Sequence, residues 1–291
     1  MESAGIGASA HLVSFRGSDT IAGSVVAQRY YDAWETPGLS IPATEHSICT
    51  LLGEAGELDV YKHLLQQFPT GMVACVSDSY DIFRACREYW GGELKSEVLE
   101  RDGVLVIRPD SGDPVKTVLA VFDILFDKFG YSTNEKGYKV LPPQVRMIQG
   151  DGVHYESIID LFEALKKAGI SAENLALGMG GALLQKLDRD TQQFALKCSH
   201  AVVNGKEVAV QKRPVEMNAV GELHESFKRS KAGRLKLIKT ASGFETVSET
   251  AHPSSPDEMV TVFENGKIVK EWSFAEVRRR AAAVSLEEQG A

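Results

Sequence analysis

The strongest constraint on this chain is a pattern repeated four times between residues 73 and 184. Each repeat is a short apolar run, a polar or glycine-rich turn, and then a segment of helical period. Val73–Val76 ends at Ser77-Asp78 and is followed by Tyr80–Trp90, with Ile82, Phe83, Cys86 and Trp90 on one helical face and a stop at Gly91-Gly92. Val104–Ile107 ends at Arg108-Pro109-Asp110. Asp113 then reads as an N-cap with Pro114 at the first helical position, and Val115, Val118, Leu119, Phe122 and Leu125 point inward as far as Gly130. Val145–Ile148 ends at Gln149-Gly150-Asp151-Gly152 and leads to a helix over 157–168 closed by Gly169. Leu175–Leu177 ends in Gly178-Met179-Gly180-Gly181, before a helix starting near Leu183.

Four such units in a row predict an α/β chain of parallel strands joined by right-handed crossovers. In folds of that kind the carboxyl ends of the strands form the active face. Asp78, Arg108 with Asp110, Asp151, and the Gly180-Gly181 pair all fall at such ends. Polar groups placed there repeatedly point to an enzyme site rather than to core.

Composition removes other classes. A chain of 291 residues can build its core without disulfide staples. Its formal charge of −8 argues against a general nucleic-acid or membrane-surface binder, and no run of 18 apolar residues spans a bilayer. The four cysteines form no C-x-x-C pair, and no apolar leader opens the chain, which reads as a reduced, cytoplasmic protein. The histidines other than His46 show no metal-ligand spacing, so none is taken as a metal ligand. From Val202 the pattern changes. Residues 1–235 are expected to form the β/α catalytic region. Residues 236–291 are expected to carry a hairpin turning at Asn265-Gly266, then a helix started by a Ser273…Glu276 capping box with Arg278, Arg279 and Arg280 on its solvated side.

Gly178, Gly180 and Gly181 suit either a phosphate held on bare backbone N–H groups or a tight turn needing positive φ. The P-loop and dinucleotide fingerprints are both absent. Arg189 and Lys197 are cations close enough in sequence to complete an anion site. Arg108 and Asp110, on a proline-stiffened strand end, reach one ligand from the same side or form a structural ion pair. Asp151 between two glycines suits a sugar hydroxyl or an Asx-turn. His46, in a polar stretch without helical period, is a structural histidine unless Asp78 orients it as an acid orients a catalytic imidazole. Asp19 alone is a turn acid. Lys228 to Lys231 is a solvated basic face or a diphosphate clamp.

Together these stretches resemble the nicotinamide phosphoribosyltransferases. The resemblance rests on Ala4-Gly-Ile-Gly-Ala-Ser-Ala-His11, Glu45-His-Ser47, Val76-Ser-Asp-Ser-Tyr-Asp81, Ile107-Arg-Pro-Asp-Ser-Gly112 and Ile148-Gln-Gly-Asp-Gly-Val153. It continues through Gly180-Gly181 with Leu183-Leu-Gln-Lys-Leu187, Lys197-Cys-Ser199 and Lys228-Arg-Ser-Lys231. It implies an open (β/α) barrel of the type II phosphoribosyltransferase kind with a mixed second domain, working as a homodimer. It also implies condensation of nicotinamide with 5-phosphoribosyl diphosphate, assisted by Mg2+ and stimulated by ATP through a phosphohistidine. By position, His46 resembles that histidine and Asp78 its partner, while Asp19 and Arg108 resemble the nicotinamide-binding pair. Asp110, Gly150 and Asp151 resemble the ribose set, and Gly180, Gly181 and Arg189 the 5′-phosphate site. Lys197, Lys212 and Lys228, with His46 and Arg108, resemble the diphosphate and ATP groups. Ala182 stands where the family has a third glycine, and Ala195 where it has a serine. The family also carries a longer N-terminal portion ahead of the Ala4 motif. The expectation is therefore half of a longer or split enzyme, paired with a separate N-terminal polypeptide or with itself, and weak as a catalyst alone. A nicotinate-using relative and an inactive nucleotide-binding fragment are the alternatives.

Overall fold

The structure, a computed structural model, describes residues 2–184, 186, 197–211, 215–217, 223–225 and 230–289. By internal contacts the chain divides into Met1–Leu187 with Ser273–Ala291, and Asp188–Trp272. The expected boundary at 235/236 falls inside the second of these units.

The first unit opens with α1 (Glu2–Ser14) and α2 (Ile21–Tyr31), then a one-turn helix α3 (His46–Cys49) and α4 (Glu57–Gln67). The strand β1 (Thr70–Val76) is followed by α5 (Ile82–Arg84), a π-helical stretch Ala85–Glu93, and α6 (Lys95–Leu99). Next come β2 (Asp102–Arg108), α7 (Pro114–Phe129), the small pair β3 (Ser132–Thr133) and β4 (Lys139–Val140), and β5 (Val145–Gln149). The repeat closes with α8 (Tyr155–Lys167), β6 (Leu175–Leu177) and α9 (Gly181–Leu184). β1, β2, β5 and β6 form one sheet in that order, every pair parallel. Residues 42–44 extend it, since Thr44 N–H donates to Ala74 O at 3.0 Å and Ala74 N–H to Pro42 O at 2.9 Å. The predicted parallel α/β arrangement is therefore present, and neighbours in the sheet are neighbours in the chain.

Strand period sorts the side chains. Val73, Cys75, Leu105, Ile107, Val145, Met147 and Leu175 share one face in register and join the main hydrophobic core. Helix residues such as Trp90, Phe122, Leu125, Leu161 and Leu165 belong to the same core. Trp90 stacks on Tyr61 at 4.5 Å and donates its indole N–H to Ser77 Oγ at 3.0 Å. The opposite face carries Ala74, Val76, Val106, Arg108, Arg146, Ile148 and Ala176. Its register runs on toward Asp78, Asp110, Gly150 and Gly178.

Some local expectations are corrected. Gly91-Gly92 does not stop the helix after β1. A Cβ at Gly91 would sit 2.6 Å from the Lys128 side chain, so this glycine admits α7 at close range. The helix after β5 starts at Tyr155, because His154 caps it: its side chain accepts from Ser157 N–H while Ser157 Oγ accepts from His154 N–H. α9 starts at Gly181 rather than near Leu183. The Asp113 cap, accepting from Lys116 N–H at 2.9 Å, is as expected.

The terminal helix α10 (Phe274–Gln289) begins with the predicted capping box, Ser273 N–H donating to Glu276 Oε2 and Glu276 N–H to Ser273 Oγ. Arg278 is not solvated. It donates to Leu12 O at 2.9 Å and Pro37 O at 2.8 Å, and lies over the Phe274 ring, because α10 packs on α1. Arg279 and Arg280 are exposed.

The second unit is built of antiparallel pairs: β7 (His200–Val203) with β8 (Lys206–Ala209), β9 (Val215–Met217) with β10 (Leu223–Glu225), and β11 (Leu235–Thr240) with β12 (Gly243–Ser248). The last pair, β13 (Phe263–Glu264) with β14 (Lys267–Ile268), turns at Asn265-Gly266 as predicted, both residues having positive φ.

Candidate active site

The carboxyl ends of β1 and β2 bring together residues far apart in sequence. α3 starts at His46, and its place is fixed from below. Thr44 Oγ1 accepts from Val76 N–H at 3.0 Å, and the Cys49 thiol, one turn after His46, donates to Val76 O at 3.3 Å. His46 is thus held over the end of β1, where its Nε2 lies 2.9 Å from Asp78 Oδ1. The other Asp78 oxygen accepts from Ser111 Oγ at 2.6 Å and from Asp110 N–H at 3.1 Å. One carboxylate therefore joins the histidine to the turn after β2.

Arg108, the last residue of β2, donates to Thr44 O at 3.2 Å and approaches Glu45 at 3.4 Å on one side and Asp110 at 4.0 Å on the other. The loose Asp110 contact leaves both groups able to meet a ligand. Burial pushes the Asp78 carboxyl up, but the hydrogen bonds from Ser111, His46 and the Asp110 N–H outweigh it and hold Asp78 below the usual carboxylate range. Asp110 goes the other way. Burial raises it, Arg108 and His46 pull it down, and Asp78 and Asp151 push it up, leaving it above the usual range. Two acids in one cluster are thereby driven apart, as groups with different chemical tasks are.

The turns after β5 and β6 complete this face. Gly178 N–H donates to Gln149 O at 2.8 Å. A Cβ on Gly178 would lie 3.6 Å from Gly150 Cα, and a Cβ on Gly150 would lie 3.9 Å from Asp110 Oδ1. Asp151 has an exposed side chain, and Gly152 supplies the left-handed φ of +67° that turns the chain toward α8. Gly180 and Gly181 have no positive φ, and nothing lies within 4 Å of a Cβ added to either. The fold does not demand glycine at these two positions; bare backbone there opens the surface to close approach by a ligand.

Asp19 is tied elsewhere on the same unit. Its carboxylate accepts from Ser40 Oγ, and its loop runs beside Leu39 through the Gly17–Leu39 bridge. Lys197 is exposed and lies in the second unit. Arg189, Lys212 and Lys228 lie outside the described residues. A mostly apolar groove of about 330 Å³, lined by Pro42, Ile48, Val60 and Phe68, meets the site only at Thr44 and contains none of His46, Asp78, Arg108 or Asp110. Thr44, Glu45, Ser111 and Gln149 join the site without having been read from the sequence as functional. Glu45, Ser111 and Gln149 sit directly beside His46, Asp110 and Gly150, and that adjacency is the signal that marks them; Thr44, two residues before His46, carries no such signal.

A sequence model of the nicotinate phosphoribosyltransferase family matches residues 1–245. The chain is 45% identical to a nicotinamide phosphoribosyltransferase of Xanthomonas campestris over 98% of its own length and 60% of that protein. It is 32% identical to a nicotinamide phosphoribosyltransferase of Acinetobacter baylyi, over 94% of this chain and 56% of that protein. One from Mycoplasma pneumoniae is 39% identical over 65% of this chain and 42% of that protein. The chain thus spans about 60% or less of the length of the curated relatives named here.

Proposed function

The chain belongs to the nicotinate phosphoribosyltransferase family, and from that premise we propose that it carries the transfer site of an enzyme joining nicotinamide to 5-phosphoribosyl diphosphate, with nicotinamide mononucleotide and diphosphate as products. The observation that carries this reading is the polar cluster at the strand ends: Arg108 and Asp110 on one turn, Asp78 and His46 bonded beside them, and the bare Gly150, Gly178, Gly180 and Gly181 next in the sheet.

The reaction breaks the bond from C1 of the ribose to the diphosphate. Positive character grows on the ribose ring while negative charge grows on the leaving oxygens. In this reading Asp110 and Asp151 face the sugar, where carboxylates stabilise the growing positive charge and accept from its hydroxyls. Arg108 supplies a cation for the phosphate oxygens, and the glycines at 180 and 181 leave room for the 5′-phosphate. Asp19 accepts the amide N–H of the incoming base.

Magnesium fits here as a substrate-borne ion. Among the described residues no group of three or more His, Cys, Asp or Glu could hold a metal. Magnesium typically binds through one or two carboxylates plus substrate phosphates, which Asp110 and Asp151 can provide. When bound, it neutralises charge on the leaving diphosphate. ATP is assigned to His46, whose side chain is 42% exposed and oriented by Asp78. The monotone strand order supports an open (β/α) barrel in the whole enzyme, and the exposed Met72 and Ala176, on the sheet face that carries Arg108, suit further covering by a mixed second domain or by a second copy in a homodimer. No described helix is long and apolar enough to cross a membrane; the reduced cysteines suit a cytoplasmic enzyme.

The test is diphosphate release by the purified chain given 5-phosphoribosyl diphosphate and Mg2+, with and without nicotinamide. Nicotinamide-dependent release that Asp110→Asn abolishes supports the reading. Failure to bind 5-phosphoribosyl diphosphate in calorimetry overturns it.

A further inference from the structure

We propose that Gln149 is a positioning residue for this reaction: it grips the Asp151 carbonyl from the core side of the sheet and so fixes where the Asp151 carboxylate meets the sugar. The proposal rests on the phosphoribosyl-transfer reading.

Gln149 is the last residue of β5 and only 1% exposed. Its strand period places it with Val145 and Met147 on the face covered by helices, paired in register with Leu177. A carboxamide there is out of character for the position, since its neighbours along that face are core residues and burying an amide is unfavourable without full hydrogen bonding. The bonding is incomplete. Gln149 Nε2 donates to Asp151 O at 2.8 Å, while its Oε1 is buried without a partner among the described residues. A carbonyl only accepts, so the bond to Asp151 O fixes which end of the amide points where. An isosteric apolar side chain would pack at this position without an orphan acceptor. What the amide adds is the grip on Asp151.

The rest of the turn shows why that grip matters. Gln149 O is held by Gly178 N–H at 2.8 Å, and Gly152 O by Ser157 Oγ at 3.0 Å. Between these anchors, Asp151 O depends on Gln149. With it fixed, the peptide after Asp151 cannot rotate, and the exposed Asp151 carboxylate stays on the side from which it acts on Asp110. Asp19 lies on a separate segment, so base recognition should not depend on this device.

Gln149→Met tests the idea, because it keeps length and volume while removing both the donor and the orphan oxygen. The melting temperature should stay level or rise. Without ligand, backbone order parameters of Asp151 and Gly152 should fall from about 0.85 toward 0.6. Affinity for 5-phosphoribosyl diphosphate should drop about tenfold, roughly 1.4 kcal/mol, while the KM for nicotinamide changes less than about twofold. Unchanged order at Asp151 and Gly152 overturns the proposal, as does a loosened turn with unchanged diphosphate affinity. Equal changes in both KM values with lost stability identify an ordinary core position. If the unsubstituted chain does not bind 5-phosphoribosyl diphosphate at all, the transfer reading fails, and the order parameters alone still decide whether Gln149 holds the turn.

Discussion

His46 Nε2 lies 2.9 Å from Asp78 Oδ1, and the second oxygen of that carboxylate is committed to Ser111 and to the Asp110 N–H. Asp78 cannot turn away from the imidazole without breaking those bonds. An ionised Asp78 favours the tautomer with the ring proton on Nε2, which leaves the Nδ1 lone pair open for the proposed phosphoryl transfer.

With γ-labelled ATP, the chain should therefore take up an acid-labile, base-stable label on His46 Nδ1. His46→Ala should abolish it. Ser111→Ala, which removes one of the two hydrogen bonds on the second Asp78 oxygen, should slow labelling about tenfold, in line with a lost charge-assisted hydrogen bond of about 1.5 kcal/mol. Labelling that persists in His46→Ala would return this histidine to a purely structural role.

Asp78 and Asp110 should give melting curves of opposite sign. The folded pKa of Asp110 is raised. Its contribution is present below the ordinary carboxylate range and lost as pH rises through the raised value. Asp110→Asn should then be more stable than the parent near neutral pH, with the advantage fading below about pH 4. The folded pKa of Asp78 is depressed. Its contribution is present above the ordinary range and lost as pH falls through the depressed value, so Asp78→Asn should be less stable near neutral pH and converge on the parent in acid. Thermal melts of both variants across that range check this, and matching signs would contradict the assignment.

Gly152→Ala should loosen the same face from another direction. The residue has φ +67°, and a Cβ there would stand 3.0 Å from Pro114 Cγ at the start of α7. Left-handed backbone alone costs an alanine about 1–2 kcal/mol. Denaturant melts should show a loss of at least that size, with weaker 5-phosphoribosyl diphosphate binding because Asp151 moves with the turn. A neutral substitution would mean the turn is not held as described.

The strand ends were legible because the local signal is strong: an apolar run must stop, and Asp78, Arg108 and Gln149-Gly150-Asp151 are where these runs stop. The order of parallel strands followed from the alternation. The bonds between strand ends did not, because Ser111 and Asp78 are 33 residues apart and only folding juxtaposes them. α1 and α2 went unread because glycines and alanines give no apolar period. The hairpin at Asn204-Gly205, between Ala201-Val202-Val203 and Val208-Ala209-Val210, carries the same turn signal as Asn265-Gly266, with both residues at positive φ, and is equally legible. The place of Arg278 depends on packing that the local sequence does not show. A guanidinium in a run of three arginines looks solvated until α1 and Pro37 supply carbonyls for it.

Base choice is the sharpest test of the proposed chemistry. One Asp19 oxygen is held by Ser40 Oγ, so the carboxylate is oriented before a ligand arrives. An oriented carboxylate accepts the N–H of a carboxamide and repels a second carboxylate. At an effective dielectric constant near 20 and a separation of about 4 Å, that repulsion is on the order of 4 kcal/mol before screening by salt. Even a third of it corresponds to about tenfold in kcat/KM at roughly 1.4 kcal/mol per factor of ten. Nicotinamide should accordingly be used at least tenfold better than nicotinate. Asp19→Asn keeps the shape and an acceptor but removes the charge, and should narrow the ratio mainly by improving nicotinate. Asp19→Arg should invert it, since a guanidinium pairs with the carboxylate and repels nothing on it. The measurement is kcat/KM for each base at fixed 5-phosphoribosyl diphosphate. A preference for nicotinate with Asp19 intact would remove this residue from the base site and favour the nicotinate-using members of the family.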